Sequence, residues 1–124
     1  MDKYQALQNF WGSFGIPAYD ENTVPSGDDA PAFPYITYDV VVSNLGRPVA
    51  MSASIWYYGS SWSQITTKLT EIQTAIGRGG KLIPFDGGAI WIVQGSPFAQ
   101  RMADANDMTR RIFINISAEY LTAD

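Results

Sequence analysis

The sequence predicts an α+β fold: a single, mostly antiparallel sheet, two main helices packed on one of its faces, and a long Pro-rich acidic loop. Three observations lead there. Two segments carry apolar residues at spacings of three and four, the mark of a helix with one buried stripe. Several others alternate with period two between turn residues, as half-buried strands do. The strands come in adjacent runs with short links, which favours antiparallel pairing with helices to one side. At 124 residues the expectation is one domain spanning 1–124, long enough to bury about two-thirds of its unfolded surface.

Residues 2–14 read as the first helix, with Tyr4, Leu7, Phe10, Trp11 and Phe14 on one stripe and Gly15 and Pro17 ending it. "IPAY" is a short extended piece. The loop from Asp20 to Pro34 follows, inside a stretch (16–41) with four of the seven prolines, five carboxylates and no lysine or arginine. Proline and "SGDD" disfavour helix and supply turns. Connections longer than about 12 residues tend to be functional or disordered, so this loop reads as a contact surface.

From Tyr35 the inner set Ile36, Tyr38, Val40 and Val42 alternates with Thr37, Asp39, Val41 and Ser43, a strand. "SNLGRP" (43–48) is a turn, with Asn44 and Gly46 able to adopt positive φ. A second strand, Val49–Tyr58, makes an antiparallel hairpin with the first. "SWSQ" (61–64) fits a capping box before a helix over 62–76, where Ile65, Leu69, Ile72 and Ile76 repeat at helical spacing and Gly77 closes it. The outer side of that helix is rich in threonine, with one Lys68 and one Glu71. Threonine loses side-chain freedom on a solvated helix, so a neutral polar face suits a wet interface.

Asp86-Gly87 is a strong hairpin signal between strands 81–85 and 89–94, and Pro84, having no amide donor, puts the first of them on a sheet edge. "SPFAQRMADANDM" is expected to form helical turns at 97–104. "RRIFINISAEYL" alternates Ile112, Ile114, Ile116, Ala118 and Tyr120 against Phe113, Asn115, Ser117 and Glu119, a last and central strand.

Composition narrows the chemistry. There is no cysteine and no histidine, which removes disulfides, thiolate metal sites and the usual general base. Charged residues make up 16%, below the roughly 25% of an average soluble protein, as expected where other subunits cover the surface. The net charge of −4 is concentrated in residues 1–34, and no lysine-rich stripe could neutralise many phosphates, so no direct nucleic-acid binding is expected. Apolar runs such as "AIWIV" are far shorter than the roughly 20 residues of a membrane helix, and the start lacks a signal-peptide pattern. No membrane association or Sec export is expected.

The carboxylate pairs Asp20/Glu21, Asp28/Asp29 and Asp104/Asp107 could hold a cation or act as acid and base, but they lack the order of a calcium loop. Solvated loop charge or partner contact is the better account. "GRGGK" (77–81) lacks P-loop spacing and follows a helix instead of preceding one. The aromatic run "SIWYYGSSW" (54–62) could stack sugars through Trp56, Tyr57, Tyr58 and Trp62. Alternation sends Trp56 and Tyr57 to opposite faces, which favours core or subunit interface. Arg110 and Arg111 can bind a neighbour's acidic loop as readily as nucleic acid.

The segments "PAYDENTVPSGDDAPAFPYITYDVV", "SWSQITTKLTEIQTAI" and "GGAIWIVQGSPFAQRMADANDMTRRIFINISAEYL", in that order over nearly the whole chain, resemble the small tail terminator, or tail completion, proteins of long-tailed phages and prophages of Gram-positive bacteria. The resemblance implies an α+β subunit that assembles as a ring with itself, commonly a hexamer, at the head-proximal end of the tail in the virion. Its partners would be the tail tube protein and the head–tail connector protein. It implies no catalytic site and no cofactor, and it puts Asp20 to Pro25 in a loop that meets a neighbour or the tube.

A ring uses a heterologous interface, with two different complementary patches on each copy. The candidates are the acidic loop, with Asp20, Glu21, Asn22, Asp28 and Asp29, the helix face with Thr67, Lys68 and Glu71, and a basic side drawn from Arg78, Lys81, Arg101, Arg110 and Arg111. Besides the terminator, three other readings are open: a head-side connector or stopper subunit, a carbohydrate-binding module, and a small metal-assisted hydrolase using loop acids.

Overall fold

The computed structural model describes residues 1–42 and 44–122. The elements are α1 (Lys3–Trp11), β1 (Ala18–Asp20), β2 (Tyr35–Tyr38), β3 (Val49–Tyr58), α2 (Ser63–Ile76), β4 (Lys81–Phe85), β5 (Gly88–Met102) and β6 (Thr109–Thr122). The six strands form one sheet in the order β1-β2-β3-β6-β5-β4. Only β1 and β2 run parallel; the other pairs are antiparallel. The fold is α+β, β6 is central and β4, with Pro84, is an edge.

The sheet curls, because α1 packs against both edge strands, β1 and β4. Strand twist brings the edges round, and a helix laid across the opening shields edges that would otherwise stay open. Helix α2 covers β3, β5 and β6. Both helices share one core with the inner face of the sheet, where Ile36, Ile55, Ile90, Ile92 and Ile114 are fully buried beside Leu7, Trp11, Ile65 and Ile72. Each such side chain contributes about 1.5–3 kcal/mol on leaving water. Trp11 stacks on Tyr38 at 6.3 Å, and the Tyr38 hydroxyl donates to the Gln8 side chain, fixing α1 over β2.

Several expected details differ. The first helix stops at Trp11 and continues as a 3-10 turn over Gly12–Phe14, ended by Gly15 at φ 83°. Tyr4, placed on its buried stripe, is 52% exposed. The capping box sits here: Gln5 N donates to Asp2 Oδ1 at 2.9 Å, and Asp2 N to Gln5 Oε1 at 3.1 Å. The box expected at Ser61–Gln64 is not made. Trp62 is the cap residue with helical φ/ψ and no side-chain cap bond, and the Ser61 hydroxyl takes the Ser63 amide at 3.0 Å.

β2 ends at Tyr38, and beyond it Val42 is 46% exposed. In the 43–48 turn Gly46 takes φ 72°; Ser43 lies outside the described residues. Of residues 97–104, expected as helical turns, 97–102 are strand and 103–104 lie beyond its end. After a register shift between Gln94 and Ala99, β5 resumes pairing, with Ala99–Met102 opposite Ile114–Arg111. The shift is a bulge that tolerates Pro97. Gly95 is required beside it, since a Cβ there would come within 2.7 Å of the Asn115 carbonyl oxygen.

Candidate assembly surface

Residues 21–34 form an arm whose only element is a 3-10 turn at Gly27–Asp29. Its root is ordered locally. Asp20 Oδ1 accepts the Asn22 amide at 2.9 Å, the Thr23 hydroxyl donates to the Asp20 carbonyl at 3.1 Å, and the Glu21 amide donates to the Tyr38 carbonyl at 2.8 Å. Its far end is pinned by Phe33, whose ring lies 5.4 Å from Tyr35 and 5.7 Å from Tyr58. Between these anchors Glu21, Asn22, Asp28 and Asp29 are exposed.

Phe33 belongs to an aromatic patch on the outer face of the sheet, the side without helices. Tyr19 meets Tyr35 edge-on, Tyr35 stacks on Trp56 at 6.0 Å, and the Trp56 indole donates to the Thr37 hydroxyl at 2.9 Å. Burial raises the Tyr35 hydroxyl pKa, helped by the charge of Asp104. Trp56 and Tyr57 do face opposite ways: Tyr57 packs toward the core, where burial raises its pKa.

Arginines cover both tryptophans. The Arg111 guanidinium lies 4.7 Å from the Trp56 ring centre and its Nε donates to the Ser54 hydroxyl at 3.0 Å. Arg101 and Arg110 lie over Trp62 at 4.6 and 5.4 Å. Arg110 also donates to the carbonyls of Asp107 and Ser60 at 2.5 and 3.0 Å. Sequence reasoning named these arginines but missed their indole partners, because β3–β6 register and the start of α2 bring them together.

On α2, Thr67, Thr70, Glu71, Thr74 and Ala75 line a shallow concavity of about 570 Å³. The hydroxyls of Thr66, Thr67 and Thr70 donate to the carbonyls of Trp62, Ser63 and Thr66, one turn back. Those hydroxyls are thus bonded to the helix's own backbone, which makes the face less polar than its composition suggests. Lys68 is turned to the chain itself, donating to the Phe14 carbonyl at 2.6 Å and to Glu71 Oε2 at 2.9 Å. Arg78 is exposed in the turn after α2, away from the other arginines. Thus the arm acids form one region, Arg101 and Arg110 with Trp62 a second on the helix face, Arg111 with Trp56 a third on the outer face, and Thr67 with Glu71 a fourth.

That fold recurs in a solved particle. A chain of the virion of native gene transfer agent (GTA) particle superposes with a TM-score of 0.55 at 17% identity, over 95% of this chain and 90% of that one. At such identity the likeness speaks for the fold alone. No protein-family model matches the chain, and no curated protein sequence does. Among the described residues no helix is long and apolar enough to cross a membrane, and no three acidic, histidine or cysteine side chains gather as metal ligands.

Proposed function

We propose that this chain is a structural subunit of a phage-like virion and, within it, the tail terminator. It closes as a ring, commonly of six copies, on the head-proximal end of the tail tube, stops tube growth and joins the tube to the head connector. The observation that carries this reading is the virion chain that shares its fold over 95% of its length. The low charge content and the surfaces left uncovered by its own elements agree with life inside an assembly. The role calls for no bond chemistry and no cofactor.

The carbohydrate-binding reading is weaker, since guanidinium groups lie over both Trp56 and Trp62 and a sugar ring would have to displace them. Electron microscopy of the purified protein, alone and with tail tubes, tests the proposal. Rings capping one end of the tubes are expected. A strict monomer that leaves tubes growing would overturn it, and rings that bind only the connector would move the role to the head-side stopper.

A further inference from the structure

Resting on that ring reading, we infer that two rows of side chains on the helix-free face of the sheet meet head to tail between copies: Tyr35, Trp56 and Arg111 of one copy against Leu82, Trp91 and Glu119 of the next.

Strand register draws both rows. Tyr35 pairs with Trp56 and Trp56 with Arg111, across β2, β3 and β6. Leu82 pairs with Trp91 and Trp91 with Glu119, across β4, β5 and β6. Residues paired in this way point to one side of a sheet. That side faces away from the helices, because their chain neighbours Ile36, Ile55, Ile83, Ile90, Ile112 and Tyr120 are buried in the core. Each row thus sets apolar or aromatic surface beside one charge, a cation in the first and a carboxylate in the second. Exposed neighbours widen both, Phe33 and Tyr58 beside the first and Leu121 beside the second.

Neither charge is neutralised within the chain. Among the described residues, ion pairs join the Met1 ammonium to Asp86 and Lys68 to Glu71, and neither Arg111 nor Glu119 takes part. Asp39, just past β2, is taken up by the amide and hydroxyl of Ser52. Asp104, whose charge reaches Tyr35, accepts the Asn106 amide and makes no ion pair with Arg111. The Arg111 guanidinium is already held, 4.7 Å from the Trp56 ring centre and with Nε donating to the Ser54 hydroxyl. Its Nη end is left for a carboxylate. Side chains fixed beforehand lose less freedom on binding.

The match fits a second copy in one sense only. A row facing its own counterpart brings no opposite charge, whereas the two different rows complement each other, and opposite charges orient an encounter. Tryptophan, tyrosine and arginine are also the residues on which interface energy concentrates. The sheet curls until α1 touches both edge strands, so its outer surfaces near β2 and near β4 are turned apart. Each copy can then meet one neighbour through each row, the arrangement a closed ring needs.

Because the chain has no cysteine, introduced thiols report the contact cleanly. Positions 111 and 119 share one face of β6 but lie roughly 26 Å apart along the strand, far beyond the roughly 6 Å between Cα atoms that a disulfide spans. A disulfide between Arg111→Cys and Glu119→Cys therefore joins two copies. A chain carrying both changes, oxidised at a concentration where the parent forms rings, should give a ladder of covalent multimers ending at the ring. Each single variant should stay unlinked alone and form dimers when the two are mixed. Absence of a link, or single variants that dimerise alone, overturns the contact, as does linkage to the tube protein in place of a second copy. Glu119→Arg should raise the concentration needed for ring closure by about tenfold or more, with an unchanged circular dichroism spectrum, and adding Arg111→Glu to that chain should restore closure. If the changes at Arg111 prevent folding, Glu119→Arg decides alone. Rings that close normally with Glu119→Arg overturn this contact and leave the ring reading standing. A parent chain that makes no ring, alone or on tubes, removes both.

Discussion

Along β6, Ile112, Ile114, Ile116, Ala118 and Tyr120 face the helices and are at most 2% exposed. Their neighbours Arg111, Phe113, Asn115, Ser117 and Glu119 face the other way, half-buried and with no helix over them. The same backbone thus carries a face that decides the fold and a face that the fold leaves available. The arm extends the second kind of surface, with four carboxylates over residues 20–29 and no neutralising base. Substitutions should separate accordingly: inner-face changes act on stability, and changes in the outer face and the arm act on assembly.

The largest effect is expected from Ile114→Asp. A carboxylate at a fully buried site has no partner, and avoiding that cost by unfolding is the easier course. Loss of the cooperative melting transition is the expected result. A soluble, native-like Ile114→Asp protein would break the contrast at its strongest point. Gly88→Ala comes next. Its Cβ would lie 2.1 Å from the Leu121 carbonyl oxygen and 3.1 Å from Thr122 Cα, so the β5–β6 ladder must shift, at a cost of about 3 kcal/mol or more by denaturant titration.

Tyr120→Phe sharpens the comparison with a smaller change. The hydroxyl donates to the Val41 carbonyl at 2.7 Å, a bond with a net contribution of about 1 kcal/mol. Burial, aided by Tyr4 and Asp39, pushes its pKa up from 10.0 to about 12. The folded state therefore keeps the proton where the unfolded chain loses it. Stability from this group is fully present below pH 10 and falls as the pH rises toward about 12. Melting curves across that range should be flatter for Tyr120→Phe than for the parent, though Tyr35, Tyr38 and Tyr57, also raised by burial, share the trend.

Asp20→Lys with Glu21→Lys should block assembly at a cost in stability of about 1 kcal/mol, because Glu21 is exposed while Asp20 is half-buried and its Oδ1 accepts the Asn22 amide. Normal particles from that double variant would remove the arm root from the interface, and a large loss of stability would mean that the arm is part of the core.

Much of this was legible from residue order. The isoleucine face of β6 follows from period-two alternation and α2 from its isoleucine spacing, because those patterns are the local trace of a buried side; β4 follows from the Asp86-Gly87 hairpin signal. The Asp2–Gln5 box was equally legible, as an Asp-x-x-Gln sequence opening the first helix. Residues 97–102 could not be read correctly. Their local preferences suit a helical turn, and they are strand because β6 offers them a ladder across a bulge.

In the candidate surface the acids of the arm were visible as a charge run, whereas the stacking of Arg101 and Arg110 on Trp62 depends on segments about forty residues apart. Alternation, helical spacing and sign of charge act between near neighbours, so the amino-acid order alone sufficed for the element types, the core face and the acidic loop. The curl of the sheet around α1, the length of β5 and the pairing of arginine with tryptophan depend on contacts between distant segments. Those contacts exist only once the sheet has closed.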